Sequence, residues 1–209
     1  MQIQKFGHSC LLADERGARV ILDPGRFSHG LSHVQGLNGI LITHSHDDHL
    51  CVENIRELLL LSPKAVVVCD EGSAPLLHEN GIDCRIVHAG DEINLGIGIK
   101  VFGSKHAIVH PDWTNIPNVG YLVGMTLYYS GDAFDIPDVD VDVLALPVSA
   151  SWMKLGEAID FVRAINPRVV IPVHDHGGGF NDYVRLLLDS LGPKGTVIED
   201  LNTSDLREI

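Results

Sequence analysis

Three histidines and two aspartates fall within six consecutive residues of the segment ITHSHDDHL, residues 42–50. The segment follows an apolar run, and imidazole and carboxylate groups cost free energy when they are crowded and desolvated together. A bound cation is the simplest compensating charge. Histidine nitrogens combined with a carboxylate suit zinc, iron or manganese better than calcium or magnesium. The spacing therefore predicts a site for a divalent metal ion such as zinc.

The motif H-x-H-x-D-H, formed by His44, His46, Asp48 and His49, offers four ligands in one short segment. A single tetrahedral ion would bind all four only with strain, so we expect them to be divided between two neighbouring ions. Three further candidates each end an apolar run elsewhere in the chain: His106, Asp132 and His174. An ordinary exposed residue at a strand end would explain any one of them. Four such strand ends in one chain favour the metal site.

Hydrophobic periodicity predicts the elements that must position these residues. Helices are predicted to begin near residues 52, 75, 155 and 183. Strands are predicted over residues 2–6, 9–13, 18–22, 39–43, 65–69, 84–87, 92–102, 119–123, 126–129, 143–146, 168–173 and 196–198. Each half of the chain passes from successive strands into alternating strands and helices. The pattern predicts a four-layer αββα sandwich, an α+β fold with two mixed sheets face to face, as one domain over residues 1–209.

The composition restricts the partners of the protein. A formal net charge of −13 disfavours long nucleic acids and anionic membranes. The N-terminal residues lack the basic and apolar regions of a secretion signal, and no apolar run approaches the length of a membrane span. The four cysteines show no C-x-x-C spacing, which is typical of reduced core thiols. We expect a cytoplasmic protein with a small-molecule substrate, and metal ions would permit that substrate to be anionic; a homo-oligomer is compatible with the sequence.

The motifs THSHDDH, YYSGDAF and VVIPVHDHG resemble those of the metallo-β-lactamase fold superfamily of metal-dependent hydrolases. The segments FGHSCLL, VILDPG and GEAIDFVRAINPRVVIPVH resemble its ascorbate-6-phosphate-lactonase-like branch in particular. The resemblance spans nearly the whole chain in the family's order. It implies a metallo-β-lactamase fold and two divalent metal ions, zinc first, with manganese or iron as alternatives.

The resemblance also implies roles for individual residues. The ligands would be His44, His46 and His106 for the first ion, Asp48, His49 and His174 for the second, and Asp132 as a bridge between them. Two such ions lower the pKa of a shared water to about 7, so that hydroxide attacks a carbonyl or phosphorus atom. Asp48 would also orient this nucleophile. Asp23 would not bind metal itself but would orient the side chains that do. The proton for the leaving group would come from His176 or His110.

Departures from the family pattern restrict the reaction. Asp132 stands where the best-known zinc β-lactamases use cysteine, which argues against antibiotic hydrolysis. The segment GSKHAIVHP around His106 lacks the Pro-Gly-His-Thr context of glyoxalase II-like members. A chain of 209 residues has no room for the RNA-binding arm of tRNA-processing members or for an appended flavin domain. We therefore expect hydrolysis of a small ester, lactone or phosphoester.

Two other functions are compatible with the same ligands. A phosphodiesterase or nuclease would use the same ions, and the acidic chain would restrict it to small nucleotides. A non-catalytic metal-binding module would keep the ligands without turnover. The stretch 177–179, three glycines ahead of a predicted helix, is either an anion site made of backbone N–H groups or a flexible turn.

Several other residues have more than one interpretation. His8 is either a pocket residue or a structural histidine, and Trp113 and Trp152 are candidate pocket walls, although surface or core positions explain Trp113 more simply. The remaining histidines are expected at the surface or in loops: His29, His33, His78 and His88.

Overall fold

The structure is a computed structural model that describes residues 1–175, 180–201 and 206–209. Four α-helices lie within these ranges: α1 (Val52–Leu61), α2 (Ala74–Glu79), α3 (Leu155–Ile165) and α4 (Asp182–Leu191). The strands are β1 (Gln2–Lys5), β2 (Leu11–Glu15), β3 (Ala18–Leu22), β4 (Gly39–Ile42), β5 (Val66–Cys69), β6 (Arg85–Ile86), β7 (Glu92–Asn94), β8 (Gly98–Phe102), β9 (Gly120–Val123), β10 (Leu127–Tyr129), β11 (Val143–Pro147), β12 (Val169–Val173), β13 (Val197–Ile198) and β14 (Leu206–Glu208). A 3₁₀ turn spans Leu31–His33.

The strands form two seven-stranded sheets with matching organisation. The first sheet has the order β14-β1-β2-β3-β4-β5-β6, and the second has the order β13-β12-β11-β10-β9-β8-β7. In the first sheet β3 to β6 run parallel, and in the second β10 to β13 run parallel. The remaining neighbours pair antiparallel. Each half of the chain therefore passes from antiparallel strands into parallel ones, as the sequence predicts.

Three apolar clusters hold the layers together. The central cluster joins the inner faces of both sheets and contains the fully buried Tyr121 and Tyr129. A second cluster packs α1 and α2 against the first sheet, with Ile55 and Leu58 at helical spacing. A third packs α3 and α4 against the second sheet. These four layers confirm the predicted αββα sandwich.

Two elements differ from the prediction. The single strand predicted over residues 92–102 is a hairpin, because Gly96 adopts a left-handed conformation (φ 83°) between β7 and β8. The strand predicted over residues 196–198 does not close the fold, because β14 follows it and pairs antiparallel with β1. The C-terminal strand thus returns to the sheet in which the chain began.

Two predictions from composition can be compared with the described residues. None of the helices in the described ranges has both the length and the apolar character needed to span a membrane. The four cysteines all lie within these ranges and form no disulfide; Cys10 and Cys69 are buried, whereas Cys51 and Cys84 are only partly buried, so the prediction of core thiols is wrong for these two.

Candidate metal centre

The predicted ligands lie just beyond the carboxyl ends of strands from both sheets. His44 follows β4 by two residues, and His174 follows β12 directly. Asp132 lies three residues after β10 and His106 four residues after β8, so both stand on loops rather than on the strand ends themselves. His174 has a left-handed backbone (φ 56°), and its N–H donates to the carbonyl oxygen of His8 at 2.9 Å.

The structure brings all seven predicted ligands together in two adjacent clusters. In each cluster, the candidate donor atoms lie within 4.8 Å of one another. The first cluster consists of His44, His46, His106 and Asp132, and the second consists of His8, Asp48, His49 and His174. His8 therefore lies beside the predicted ligands Asp48, His49 and His174.

Asp132 lies between the two clusters, where the sequence predicts a bridging carboxylate. Its Oδ2 is 3.4 Å from Nε2 of His106 in the first cluster and 3.2 Å from Nε2 of His174 in the second. Its Oδ1 is 3.2 Å from Nε2 of His49, also in the second cluster. One carboxylate thus faces donors of both groups.

The side chains present fit divalent metal ions. Within the described residues, the buried atoms Nε2 of His106 and Oδ1 of Asp132 have no hydrogen-bond partner. Buried polar atoms are almost always hydrogen-bonded, so two unpartnered atoms in one cluster are positioned as ligands of a cation would be. Imidazole nitrogen with carboxylate oxygen is a donor set typical of zinc, iron or manganese.

Hydrogen bonds behind the clusters fix the ligand rings. The fully buried Asp23 accepts from Thr43 N at 2.8 Å, from Thr43 Oγ1 at 2.6 Å and from Nδ1 of His49 at 2.7 Å. Nδ1 of His106 donates to the carbonyl oxygen of Ala107, and Nδ1 of His174 donates to that of Ser149. With Nδ1 engaged, each ring presents Nε2 to its cluster, as metal ligands require.

The clusters also shift the pKa values of their own members. Burial, reinforced by His49, holds the pKa of His44 well below its ordinary value. Burial acts in the same direction on His49, but Asp132 and Asp23 outweigh it and raise the pKa of His49. Against the same effect of burial, hydrogen bonds to Asp132 and Asp48 raise the pKa of His174 to about 9.

The two carboxylates of the clusters show the complementary shifts. Burial acts to raise the pKa of Asp132, but the neighbouring imidazoles of His49, His106 and His174 outweigh it and hold this pKa well below its ordinary range. Hydrogen bonds from His174 and His8 likewise outweigh burial and lower the pKa of Asp48. Without a metal ion, imidazolium groups therefore balance the carboxylates.

Two supporting contacts could not be predicted from the sequence. Trp152 donates its indole N–H to Oδ2 of Asp132 at 2.8 Å, so this candidate pocket wall contacts a proposed ligand directly. Lys5 is buried and donates to Asp175 at 2.5 Å and to the carbonyl oxygen of Pro172 at 2.9 Å, holding the turn that carries His174. Both contacts join segments far apart in the chain, so no local spacing reveals them.

The structure describes one of the two candidate proton donors, His110. His110 is exposed and lines a cavity together with His46 and His106. His176 and the glycines at 177–179 lie outside the described residues. The four histidines predicted at the surface or in loops are all exposed: His29, His33, His78 and His88.

Comparison with known proteins assigns the family. The family model of the β-lactamase superfamily domain matches residues 2–174. The chain belongs to the β-lactamase superfamily. Protein Rv0786c of Mycobacterium tuberculosis is 43% identical to it over 180 residues, which cover 83% of this chain and 84% of the relative. A UPF0173 metal-dependent hydrolase of Alkaliphilus metalliredigens is 26% identical over 194 residues, covering 83% of this chain and 85% of the relative.

A solved structure agrees with this assignment at the level of the fold. The metallo-β-lactamase fold protein YhfI of Bacillus subtilis superposes with a TM-score of 0.72 at 16% identity, covering 96% of each chain. The superfamily and the metallo-β-lactamase fold predicted from the motifs are thereby confirmed. The narrower lactonase-like branch stays a prediction.

Proposed function

We propose that this member of the β-lactamase superfamily is a metal-dependent hydrolase that binds two divalent metal ions and cleaves a small ester, lactone or phosphoester. The observation that carries the proposal is the pair of adjacent clusters with Asp132 between them. The name of the Alkaliphilus relative supports the same class of reaction. Zinc is the first choice of metal, with manganese and iron as alternatives of similar ligand preference.

The ligand assignment follows the two clusters. The first ion would be held by His44, His46 and His106, the second by Asp48, His49 and His174, and both by Asp132. When bound, such ions supply Lewis acidity and lower the pKa of a coordinated water. His8 is within reach of the second ion as well, because its Nε2 lies 3.2 Å from Oδ2 of Asp48.

Residues of the chain would orient the attacking water and protonate the leaving group. Asp48 is only half-buried, so a carboxylate oxygen that faces solvent can orient the attacking water. Nε2 of His8 and Nε2 of His174 lie 3.2 and 3.4 Å from Oδ2 of Asp48 and lower the pKa of this carboxyl group, so it stays ionised and can accept a hydrogen bond from the water that it orients. Protonation of the leaving group falls to His176 or His110, and His110 lines the cavity that opens beside His46.

Other features of the proposal rest on composition. A chain with a net charge of −13 is unsuited to long nucleic acids, so we infer a small-molecule substrate, anionic where the metal ions face it. We infer a single domain over residues 1–209 and a cytoplasmic location, in which the four thiols stay reduced.

A metal analysis followed by a substrate panel tests the proposed function. Protein purified without added metal is analysed for bound zinc, manganese and iron, then assayed on lactones, aryl esters and bis-p-nitrophenyl phosphate. We expect about two ions per chain and turnover that a chelator abolishes. Turnover of the phosphodiester alone would favour the small-nucleotide phosphodiesterase. Two bound ions without any turnover across the panel would favour the non-catalytic metal-binding module.

A further inference from the structure

We propose that the cavity beside the first cluster binds a phenyl-sized apolar group of the substrate. The cavity is lined by His46, His106 and eight residues of the entrance loop, which is defined as residues 107–116; Ala107 and Asp112 of the loop are not among the eight. This inference rests on the proposed function, because it assigns a substrate class to the same site. Such a cavity would favour esters or lactones that carry an aryl or compact branched alkyl substituent.

The entrance loop exposes an unusual amount of apolar surface. Ile108 is 68% exposed, Val109 45% and Trp113 73%. Single exposed apolar side chains are ordinary, but these three line the same small cavity, where one bound apolar group would cover them together. An aromatic ring such as that of Trp113 also offers an aromatic ligand an edge-to-face or offset contact.

The position of the cavity relative to the first cluster identifies its occupant. His46 is the exposed member of that cluster, and it lines the cavity. A substrate whose carbonyl or phosphoryl oxygen reaches the first cluster therefore has a neighbouring substituent beside the entrance loop. The apolar wall is continuous with the proposed reaction centre, so a group of the substrate is the ligand we assign to it.

Size and charge restrict that group. The cavity volume is about 140 Å³. An engineered apolar cavity of about 150 Å³ in another protein takes up benzene, so the volume suits one six-membered ring. The described residues that line the cavity include no Asp, Glu, Lys or Arg. The polar lining residues are His46, His106, His110, Thr114 and Asn115, and the remaining wall of Ile108, Val109, Pro111, Trp113 and Ile116 suits a neutral ring.

Binding of two phosphonates to the zinc-loaded protein tests the inference by calorimetry. Methylphosphonate and phenylphosphonate share the oxygens that bind metal and differ in the group that would enter the cavity. We expect the phenyl compound to bind about tenfold more tightly, in line with the burial of one ring. Trp113→Ala and Ile108→Ala should each reduce this preference severalfold and leave methylphosphonate binding unchanged. Leu60→Ala is the control, since Leu60 is an exposed apolar residue (83%) on α1 outside the cavity.

A second measurement separates this inference from the proposed function. Benzyl alcohol has no anionic group, and its contacts with the metal-free protein can be followed by NMR of the Ile108 methyl group and the Trp113 indole. Shifts at both positions, without metal or phosphonate binding, would support the cavity and overturn the proposed function. Equal affinity for the two phosphonates, with no shift at either position, would overturn the cavity while the metal site stands.

Discussion

The indole N–H of Trp152 donates a hydrogen bond of 2.8 Å to Oδ2 of Asp132, the carboxylate that lies between the two clusters. The same indole ring makes edge contacts with the rings of His106 in the first cluster and His174 in the second. Trp152 thus restrains the carboxylate and two neighbouring imidazoles together. Partners of this kind orient metal ligands and tune their affinity.

Trp152→Phe should weaken metal binding while the fold is retained. The phenyl ring preserves much of the packing, but Asp132 loses the donor that fixes its orientation. Loss of such a donor typically costs 10- to 100-fold in metal affinity. Competition with a chromogenic chelator measures the change. Trp113→Phe is the matched control, because it alters the only other tryptophan and should leave metal affinity unchanged. Equal metal affinities for both variants and the wild type would show that Trp152 does not position Asp132 for metal binding.

His46→Ala should empty at least one metal site and abolish turnover, with the fold retained. His46 is exposed, so its loss opens no cavity in the core, and its ring contacts are with the neighbouring ligand candidates His44 and His106. Metal content by mass spectrometry and circular dichroism together check this outcome. His78→Ala is the control, since His78 is an exposed histidine on α2. Full metal content and rate in His46→Ala would refute the ligand assignment.

Metal binding should release protons near neutral pH. In the metal-free protein the pKa of His174 is raised to about 9 and that of His49 is raised as well, so both imidazoles carry protons at pH 7. A metal ion binds only the neutral ring, so these protons must leave. The apparent affinity should therefore rise with pH and level off above about pH 9. Calorimetry in buffers of different ionisation enthalpy counts the protons, and pH-independent affinity between 6 and 8 would contradict the expectation.

Asp70→Asn should remove a pH dependence of stability. Asp70 is fully buried, and although it accepts N–H groups of Gly72 and Ser73, burial raises its pKa to about 6. The folded state then holds a proton that the unfolded chain releases near pH 4. This contribution to stability is complete below pH 4 and is lost as pH rises through 6.

The difference in unfolding free energy between the wild type and Asp70→Asn should therefore fall by about 1–3 kcal/mol from pH 4.5 to pH 7. Urea denaturation at three pH values measures it. Asp83→Asn, which alters an exposed carboxylate, is the control. A difference that stays constant over this range would show that Asp70 does not titrate there.

The periodicity of the sequence predicts most of this fold because the layers depend on local patterns. Ile55 and Leu58 recur at helical spacing and pack α1 against the first sheet. Strand β14 was not predicted, because its three residues are all exposed and its pairing with β1 rests on backbone hydrogen bonds. An edge strand of this kind has no buried face that would impose a pattern.

The ligands could be predicted because metal chemistry restricts residue types as well as positions. The segment 44–49 concentrates four of them, and Asp132 and His174 follow apolar strands closely. The sequence leaves the roles of His8 and Trp152 open, because their contacts with the ligands depend on tertiary structure. His8 joins the second cluster across 40 positions of sequence, and the Trp152 indole reaches Asp132 from a loop after β11. Neither position carries a local pattern.

The pairing of residues 206–208 with residues 2–4 has a consequence for biosynthesis. Strand β1 emerges from the ribosome about two hundred residues ahead of the partner that covers its outer edge, so translation leaves that edge open to other nascent chains. The first sheet is complete only after β14 has been synthesised and has paired with β1. Chains truncated before residue 206 would therefore keep most of the hydrophobic core and still aggregate through the exposed edge of β1.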